Sequence, residues 1–211
     1  MRIVAGKFRS RILKPVRDLE LRPTSDRLRE TLFNILGDAV ADSIFVDCYA
    51  GTGAVGIEAL SRGARQVIFI EKHGATAGLI RANLLALGVS MSVARGASSE
   101  VELTNTDARR GLTQLAERAV HADFIFMDPP YADMRQCLKL LERIGEQNIA
   151  ERLLAAHGRL IVEHAGWDKV PDEIGVLQRT RLLKQGDSAL SFFGWRKAEG
   201  EFVPPESPQD T

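Results

Sequence analysis

Residues 44–56 read Ile-Phe-Val-Asp-Cys-Tyr-Ala-Gly-Thr-Gly-Ala-Val-Gly, and they join a short apolar run to a glycine-rich turn. The apolar run at 44–46 predicts a buried strand that ends at Asp47. The turn is followed by an apolar segment, 54–62, which predicts a helix closed by Gly63. A strand, a tight turn and a helix in this order form the repeating unit of α/β proteins.

The rest of the chain repeats this alternation. Further strands are predicted at 66–70, 124–127 and 160–162, with a strand-like segment in two pieces at 91–94 and 101–103. Helices are predicted at 75–87, 109–119 and 134–154, and an antiparallel hairpin at 176–183 and 189–195. The fold class is therefore α/β, with a parallel sheet that carries helices on both faces.

The composition is that of an ordinary soluble protein. The chain has 211 residues and a formal net charge of zero, and no apolar run approaches the roughly 20 residues that span a bilayer. Its start lacks the apolar stretch of a secretory signal. The cysteines, Cys48 and Cys137, lie far apart and outside any metal-ligand spacing. We therefore expect a cytoplasmic protein with no membrane segment, no disulfide framework and no metal.

The first 37 residues are predicted to form a basic extension. Residues 2–13 favour two short strands around Gly6, and a helix follows a cap at Thr24 or Ser25 and ends at Gly37. Residues 1–17 contain six cationic side chains and no acid. Such a segment can bind the phosphates of a nucleic acid, although a solvated strand face is the simpler interpretation. RNA contacts are predicted at Arg2, Lys7, Arg9, Arg11, Arg22 and Arg27.

Acidic residues recur where the predicted strands end. They are Asp47, Glu71, Asp107, Asp128 and Glu163. Because the carboxyl ends of parallel strands share one edge of a sheet, these acids are expected to line one rim, where α/β proteins bind ligands.

The turn Asp128-Pro129-Pro130-Tyr131 follows an apolar strand and is the predicted reaction centre. The two prolines fix the backbone and remove two N–H donors, so the turn offers carbonyl oxygens beside a carboxylate. These acceptors suit the two hydrogens of an exocyclic NH2 group on a planar base, on which Tyr131 could stack. A tight turn that caps the next helix is the structural alternative.

The glycine-rich turn satisfies the G-x-G-x-x-G pattern of dinucleotide-binding proteins between Gly51 and Gly56. Asp47, however, is a poor neighbour for a pyrophosphate, and the chain leaves no room for the substrate domain of a dehydrogenase. A ligand that combines adenine, ribose and an amino acid fits better. That ligand is S-adenosylmethionine.

Several motifs resemble those of known methyltransferases. Residues 47–53 resemble the first motif of Rossmann-like methyltransferases, and residues 128–131 resemble the motif of enzymes that methylate exocyclic amines. Residues 2–9, 21–27 and 56–64 are similar to the RsmD family more narrowly. This resemblance covers residues 1–196 and implies transfer of a methyl group from S-adenosylmethionine to N2 of a guanine in small-subunit (16S) ribosomal RNA.

The resemblance also implies an architecture and a set of site residues. It implies a mostly parallel seven-stranded sheet with an antiparallel last strand, in a domain over 38–197 that follows the extension 1–37 and precedes a disordered tail, 198–211. We further expect a monomer. The implied catalytic residues are Asp128, Pro129, Pro130 and Tyr131. The implied cofactor contacts are Asp47, Ala50, Gly51, Thr52, Gly53, Glu71, Asp107 and Ala108.

Some alternatives stay open on the sequence alone. The same turn would serve an adenine-N6 methyltransferase on DNA or RNA, and a non-catalytic RNA-binding protein could retain the fold. Asp107 could be a helix N-cap rather than an adenine ligand. The four histidines show no metal or triad spacing, and we expect them at the surface or in loops: His73, His121, His157 and His164.

Overall fold

The computed structural model describes residues 1–15, 26–89, 100–130 and 133–196. The helices in these ranges are α1 Asp26–Leu36, α2 Ala54–Ser61, α3 Gly74–Ala86, α4 Ala108–Glu117, α5 Met134–Ile144 and α6 Gln147–Leu153. The strands are β1 Ile44–Cys48, β2 Gln66–Ile70, β3 Val101–Thr104, β4 Ala122–Met127, β5 Leu154–Ala165, β6 Glu173–Ile174, β7 Leu177–Gln185 and β8 Ser188–Trp195.

The strands form one mixed sheet in the order β3-β2-β1-β4-β5-β8-β7-β6. The first five are parallel, and β8 lies antiparallel to β5 and β7. The predicted fold class is confirmed. The described sheet has eight strands rather than seven, because the two-residue β6, too short to leave a sequence signal, pairs with β7. The predicted strand piece at 91–94 lies outside the described residues.

The two faces of the sheet carry separate hydrophobic layers. Along β1, Phe45 faces the cluster formed with the N-terminal segment, α1, α2 and α3. The next residue, Val46, faces the cluster formed with α4, α5 and α6. This alternation follows from the two-residue period of a strand, and it repeats along β2 and β4. Because both faces are covered, the ends of the strands are where a ligand can approach the sheet.

The N-terminal segment is anchored to α2 and is only loosely a hairpin. The two predicted strands reduce to one antiparallel bridge between Arg2 and Ile12. Glu58 of α2 accepts hydrogen bonds from the backbone N–H groups of Val4 (2.8 Å) and Ala5 (3.0 Å). These pairings to a helix side chain replace the strand ladder that the alternation predicted. The predicted helix cap at residue 24 or 25 lies outside the described residues.

Gly6 shows how closely this segment approaches α2. Its φ is +81°, and a Cβ there would lie 1.8 Å from the carbonyl oxygen of Ser61. The N–H of Lys7 donates to that same oxygen at 2.7 Å. Only glycine fits this left-handed, tightly packed position.

The helical segments predicted over 134–154 are α5 and α6, which separate near Gly145, where a Cβ would lie 2.2 Å from the carbonyl oxygen of Ile174. One further boundary differs from the sequence prediction. Strand β5 begins at Leu154 rather than near residue 160, although several side chains in its first part are exposed. The first part of this strand is defined by backbone pairing with β4, and its side chains do not show the apolar pattern of a buried strand.

No helix in the described ranges is long and apolar enough to cross a membrane. The same ranges contain no group of three or more histidine, cysteine or acidic side chains that could hold a metal ion.

Candidate active site

The register of the parallel strands brings the predicted acids together. Cys48 of β1 is paired with Ile70 of β2 on one side and with Met127 of β4 on the other. Met127 is in turn paired with Val162 of β5. The residues that follow these four therefore lie at the same level, and they are Glu71, Tyr49, Asp128 and Glu163. The first three follow the last residue of their strand, whereas Glu163 lies within β5 and pairs with Leu190 of β8.

Asp47 lies one residue before this row and is 2% exposed. Its Oδ2 accepts a hydrogen bond from the backbone N–H of Gly56 at 2.8 Å. Burial raises the pKa of this carboxyl well above its ordinary value, and the negative charges of Asp128 and Glu71 add to the rise. Three acids thus concentrate negative potential at one point of the rim, which favours a cationic ligand.

Glu71 is held by backbone N–H groups on both carboxylate oxygens. Oε2 accepts from Gly51 at 2.9 Å and Oε1 accepts from His73 at 2.7 Å. Asn105 donates to the carbonyl oxygen of Glu71 at 2.8 Å and so fixes its backbone as well. Each carboxylate oxygen has a second lone pair, so a fixed Glu71 can still accept two hydroxyl groups of a ligand.

The glycine-rich turn connects β1 to α2 through three left-handed residues, Tyr49 (φ +60°), Gly51 (φ +54°) and Gly53 (φ +79°). A Cβ on Gly51 would meet open space, with only the carbonyl oxygen of Tyr49 within 4 Å, at 3.9 Å. A ligand can therefore approach this backbone closely. Among the predicted contacts in the turn, Ala50, Gly51 and Thr52 line a cavity at this rim of the sheet, whereas Gly53 does not.

Asp107 is the N-cap of α4, and its Oδ1 accepts from the N–H of Arg110 at 3.0 Å. The alternative that Asp107 is a helix N-cap is therefore confirmed. Asp107 and Ala108 nevertheless line the cavity, so capping does not remove them from the site. The second carboxylate oxygen can still accept from an adenine amine.

The turn after β4 opens into the same space. Asp128 is half-buried, Pro129 is buried and Pro130 is exposed. All three line the cavity, whose volume is about 1010 Å³, together with Asp47 and Glu71. Tyr131, predicted to stack on a base, lies outside the described residues.

Comparison with known proteins places this geometry in a family. A family model described as "Conserved hypothetical protein 95" matches residues 1–194. The chain belongs to this family. It is the RsmD family that the sequence motifs indicated, and membership agrees with the Rossmann-like architecture of the sheet.

Three similar proteins illustrate the relationship. "Putative rRNA methyltransferase YlbH" of Bacillus subtilis is 31% identical over 92% of this chain and 98% of its own length. "Ribosomal RNA small subunit methyltransferase D" of Escherichia coli is 36% identical over 69% of this chain and 68% of its own. The solved structure "Putative methyltransferase yhhF from Escherichia coli" superposes with a TM-score of 0.71 at 31% identity and covers 92% of this chain and 96% of that chain.

In this member of the RsmD family the predicted RNA contacts divide into several environments. Arg2, Arg9, Arg11 and Arg27 are exposed. Lys7 is exposed but forms an ion pair with Glu100 at 2.7 Å, an acid that sequence proximity could not suggest. Arg22 lies outside the described residues.

Sequence reasoning missed the residues that tie the extension to the cofactor turn. Asn83 of α3 is 1% exposed; it accepts from the N–H of Lys14 at 2.9 Å and donates to the carbonyl oxygen of Thr52 at 3.0 Å. Met1 and Pro15 line the cavity as well. An asparagine inside an otherwise apolar helix pattern was the available signal.

The expectation for His164 was wrong. It lies in β5, is 5% exposed, and its ring bonds to Ser191 Oγ at 2.9 Å and to the carbonyl oxygen of Ala165 at 2.8 Å. The strand was predicted to end at Glu163, which would have left the histidine in a loop. Burial lowers the pKa of this ring.

Proposed function

We propose that this protein transfers a methyl group from S-adenosylmethionine to an exocyclic amine of a ribosomal RNA base, and that the target is N2 of a guanine in small-subunit RNA. The observation that carries the proposal is the turn Asp128-Pro129, which opens into the cavity that also contains Asp47 and Glu71. Two relatives named as ribosomal RNA methyltransferases support the class of substrate.

The residues present fit the cofactor. S-adenosylmethionine supplies an activated methyl group on a positively charged sulfonium, and its amino acid part carries an ammonium group. The negative potential of Asp47 and Glu71 suits these charges. Glu71 would accept the two ribose hydroxyls, the backbone at Gly51 would lie against the amino acid part, and Asp107 would accept from the adenine amine.

The turn after β4 would prepare the amine for attack. The lone pair of the guanine amino nitrogen is delocalised into the ring, which makes the nitrogen a weak nucleophile. Hydrogen bonds from its two N–H groups to the Asp128 carboxylate and the Pro129 carbonyl would favour a pyramidal nitrogen with a directed lone pair. As the bond from nitrogen to the methyl carbon forms and the bond from that carbon to the sulfonium sulfur breaks, a neutral thioether would leave and the nitrogen would become acidic. Asp128 would accept its proton directly or through water.

The target base must leave its stack to reach this turn, because the acceptors lie inside a cavity rather than on an open surface. Tyr131, which follows Pro130, would stack on the extruded base and contribute about 1–3 kcal/mol. The exposed arginines of the N-terminal extension would bind flanking phosphates. A ribosomal RNA substrate would place the protein in the cytoplasm, and we infer that it acts as a monomer.

Labelled methyl transfer to naked small-subunit RNA and to assembled small subunits tests the proposal, with nucleosides resolved by mass spectrometry. We expect N2-methylguanosine. N6-methyladenosine as the product would replace the guanine assignment by the adenine alternative. RNA binding with no transfer from bound S-adenosylmethionine would favour a non-catalytic RNA-binding protein.

A further inference from the structure

One face of α5 presents polar and cationic side chains to the cavity. Gln136, Lys139 and Arg143 are spaced by three and four residues, so they lie in a row along the helix. All three are exposed, and all three line the cavity. Leu140 lies within the same row and packs into the hydrophobic layer beneath, which fixes the orientation of the helix.

This row and the N-terminal extension lie on opposite faces of the sheet. The extension packs through Ile3 and Leu13 with α1, α2 and α3. Helix α5 packs with α4 and α6 on the other face. Since Met1 and Pro15 line the cavity from the first side, its mouth is bordered by the extension on one face and by α5 on the other.

Charge is arranged in two levels around this mouth. The deep level is acidic, with Asp47 and Glu71 buried. The outer level carries the exposed cations Lys139 and Arg143 along α5, and it also includes two acids, the half-buried Asp133 before α5 and the exposed Asp187 between β7 and β8. Within the described part of the chain neither Lys139 nor Arg143 forms an ion pair, whereas Arg118 is paired with Glu102 at 2.7 Å and Arg196 with Glu173 at 2.9 Å.

The two levels suit different ligands. A cofactor with a positive charge is attracted by the deep acids and is not stabilised by cations at the mouth. A polyanion that delivers one base into the cavity keeps its phosphates outside, at the level of Lys139 and Arg143. A solvated helix face would explain exposed cations but not their alignment along the cavity.

We propose that Gln136, Lys139 and Arg143 bind the phosphates that flank the target nucleotide, so that the RNA strand crosses the mouth from the N-terminal extension to α5. This proposal rests on the proposed function and adds a second contact surface to it. Lys139 and Arg143 neutralise phosphates. Gln136, nearest to the start of the helix, donates one amide hydrogen to Asp133 Oδ1 at 3.4 Å and can donate the other to a phosphate.

The test measures RNA affinity against salt concentration for the double variant Lys139→Gln/Arg143→Gln. Each lost phosphate contact with a single strand reduces the slope of log K against log salt by about 0.7, so the slope should fall by roughly 1.4. At 0.1 M salt this corresponds to affinity about 25-fold weaker. The matched control is Arg135→Gln/Arg159→Gln, which removes two exposed cations that do not line the cavity. It should bind RNA like the unmodified protein.

Binding of S-adenosylmethionine, measured by calorimetry, should be the same in both variants. An unchanged RNA affinity and slope in Lys139→Gln/Arg143→Gln would overturn the inference, and so would an equal loss in the control. A loss confined to assembled subunits, with naked RNA bound normally, would overturn the phosphate assignment in favour of a ribosomal protein. Methyl transfer by the unmodified protein, assayed in parallel, separates these outcomes from a failure of the proposed function.

Discussion

Glu58 and Asp47 are both buried carboxylates that bond to backbone N–H groups, yet the charges around them have opposite signs. Glu58 is fully buried and lies beside two guanidinium groups, with Arg62 Nε at 2.9 Å and Arg29 Nε at 3.8 Å. Asp47 is near two other acids, Asp128 and Glu71, and its pKa is raised. The Glu58 carboxylate, whose charge is balanced by the two guanidinium groups, fixes the N-terminal extension to α2. The Asp47 carboxylate, whose neighbours are acids, destabilises the folded protein until a cation binds near it.

The largest effect, a loss of methyl transfer, should come from the acids around Asp47. In Asp128→Ala the target amine loses its carboxylate partner, and we expect methyl transfer to fall by roughly 10²- to 10⁴-fold. Cofactor affinity should change little, because Asp128 is assigned to the amine. Single-turnover methyl transfer and calorimetry with S-adenosylmethionine measure the two quantities. A comparable loss of cofactor affinity would move Asp128 to the cofactor half of the site.

Removing the charge of Glu58 should reduce the stability of the fold. Glu58→Gln removes the buried carboxylate between Arg29, which is 1% exposed, and Arg62, and leaves Arg29 with the exposed Asp26 at 3.1 Å as its remaining acidic partner. We expect the free energy of unfolding to fall by about 3 kcal/mol, measured by denaturant titration. The control is Glu102→Gln, which breaks the solvent-exposed pair with Arg118 and should cost roughly 0–1 kcal/mol. Equal losses in the two variants would mean that burial does not distinguish these pairs.

Asp47→Asn should sharpen the comparison because it removes a charge and keeps an oxygen that can accept from Gly56. We expect affinity for S-adenosylmethionine to fall roughly 10- to 100-fold, the effect of losing a hydrogen bond to a charged group. The cofactor-free protein should instead become more stable, because a buried carboxylate is replaced by a neutral amide and the smaller repulsion from Asp128 and Glu71 also disappears.

The stability gained in Asp47→Asn should depend on pH in a defined direction. A raised pKa means that folded Asp47 holds its proton to higher pH than the unfolded chain, so the native state of the unmodified protein loses stability as pH rises above 3.8 through the folded pKa. The advantage of Asp47→Asn should grow over that interval and then level off. Melting temperatures across the pH range check this, and a constant difference would contradict a raised pKa of Asp47.

The smallest effect should come from His164, a buried base without strong charge partners. Its lowered pKa means that the unfolded chain binds the proton first, so the free energy of unfolding should fall as pH decreases from 6.5 through the folded pKa. His164→Asn should flatten this dependence. His157→Asn, which alters an exposed histidine on the same strand, should leave it unchanged.

The sequence predicted the acids at the rim of the sheet better than the buried ion pairs of Glu58. The acids at the rim were predictable because each ends an apolar strand, and parallel strands in register align their ends. Glu58 was not predicted to be buried, because a glutamate in a helix normally faces solvent and the segment that covers it, residues 1–13, is more than forty residues away in the chain.

Local patterns also could not set the limits of some elements. Strand β5 continues past Glu163 to Ala165 because β8 pairs with it there, and this pairing buries His164. Similarly, Lys7 meets Glu100 only after the chain has folded. Contacts between distant segments decide these features, and periodicity within one segment carries no information about them.

The hydrogen bonds of Asn83 to Lys14 and Thr52 have a consequence for the order in which ligands bind. One side chain bonds both to Lys14, at the end of the basic extension, and to Thr52, in the cofactor turn. If a bound cofactor steadies this turn, the extension is steadied through the same amide, and RNA binds with a smaller entropic loss. Linkage is reciprocal, so RNA would tighten the cofactor by the same factor. Asn83 thus gives the two sites a physical route to cooperativity.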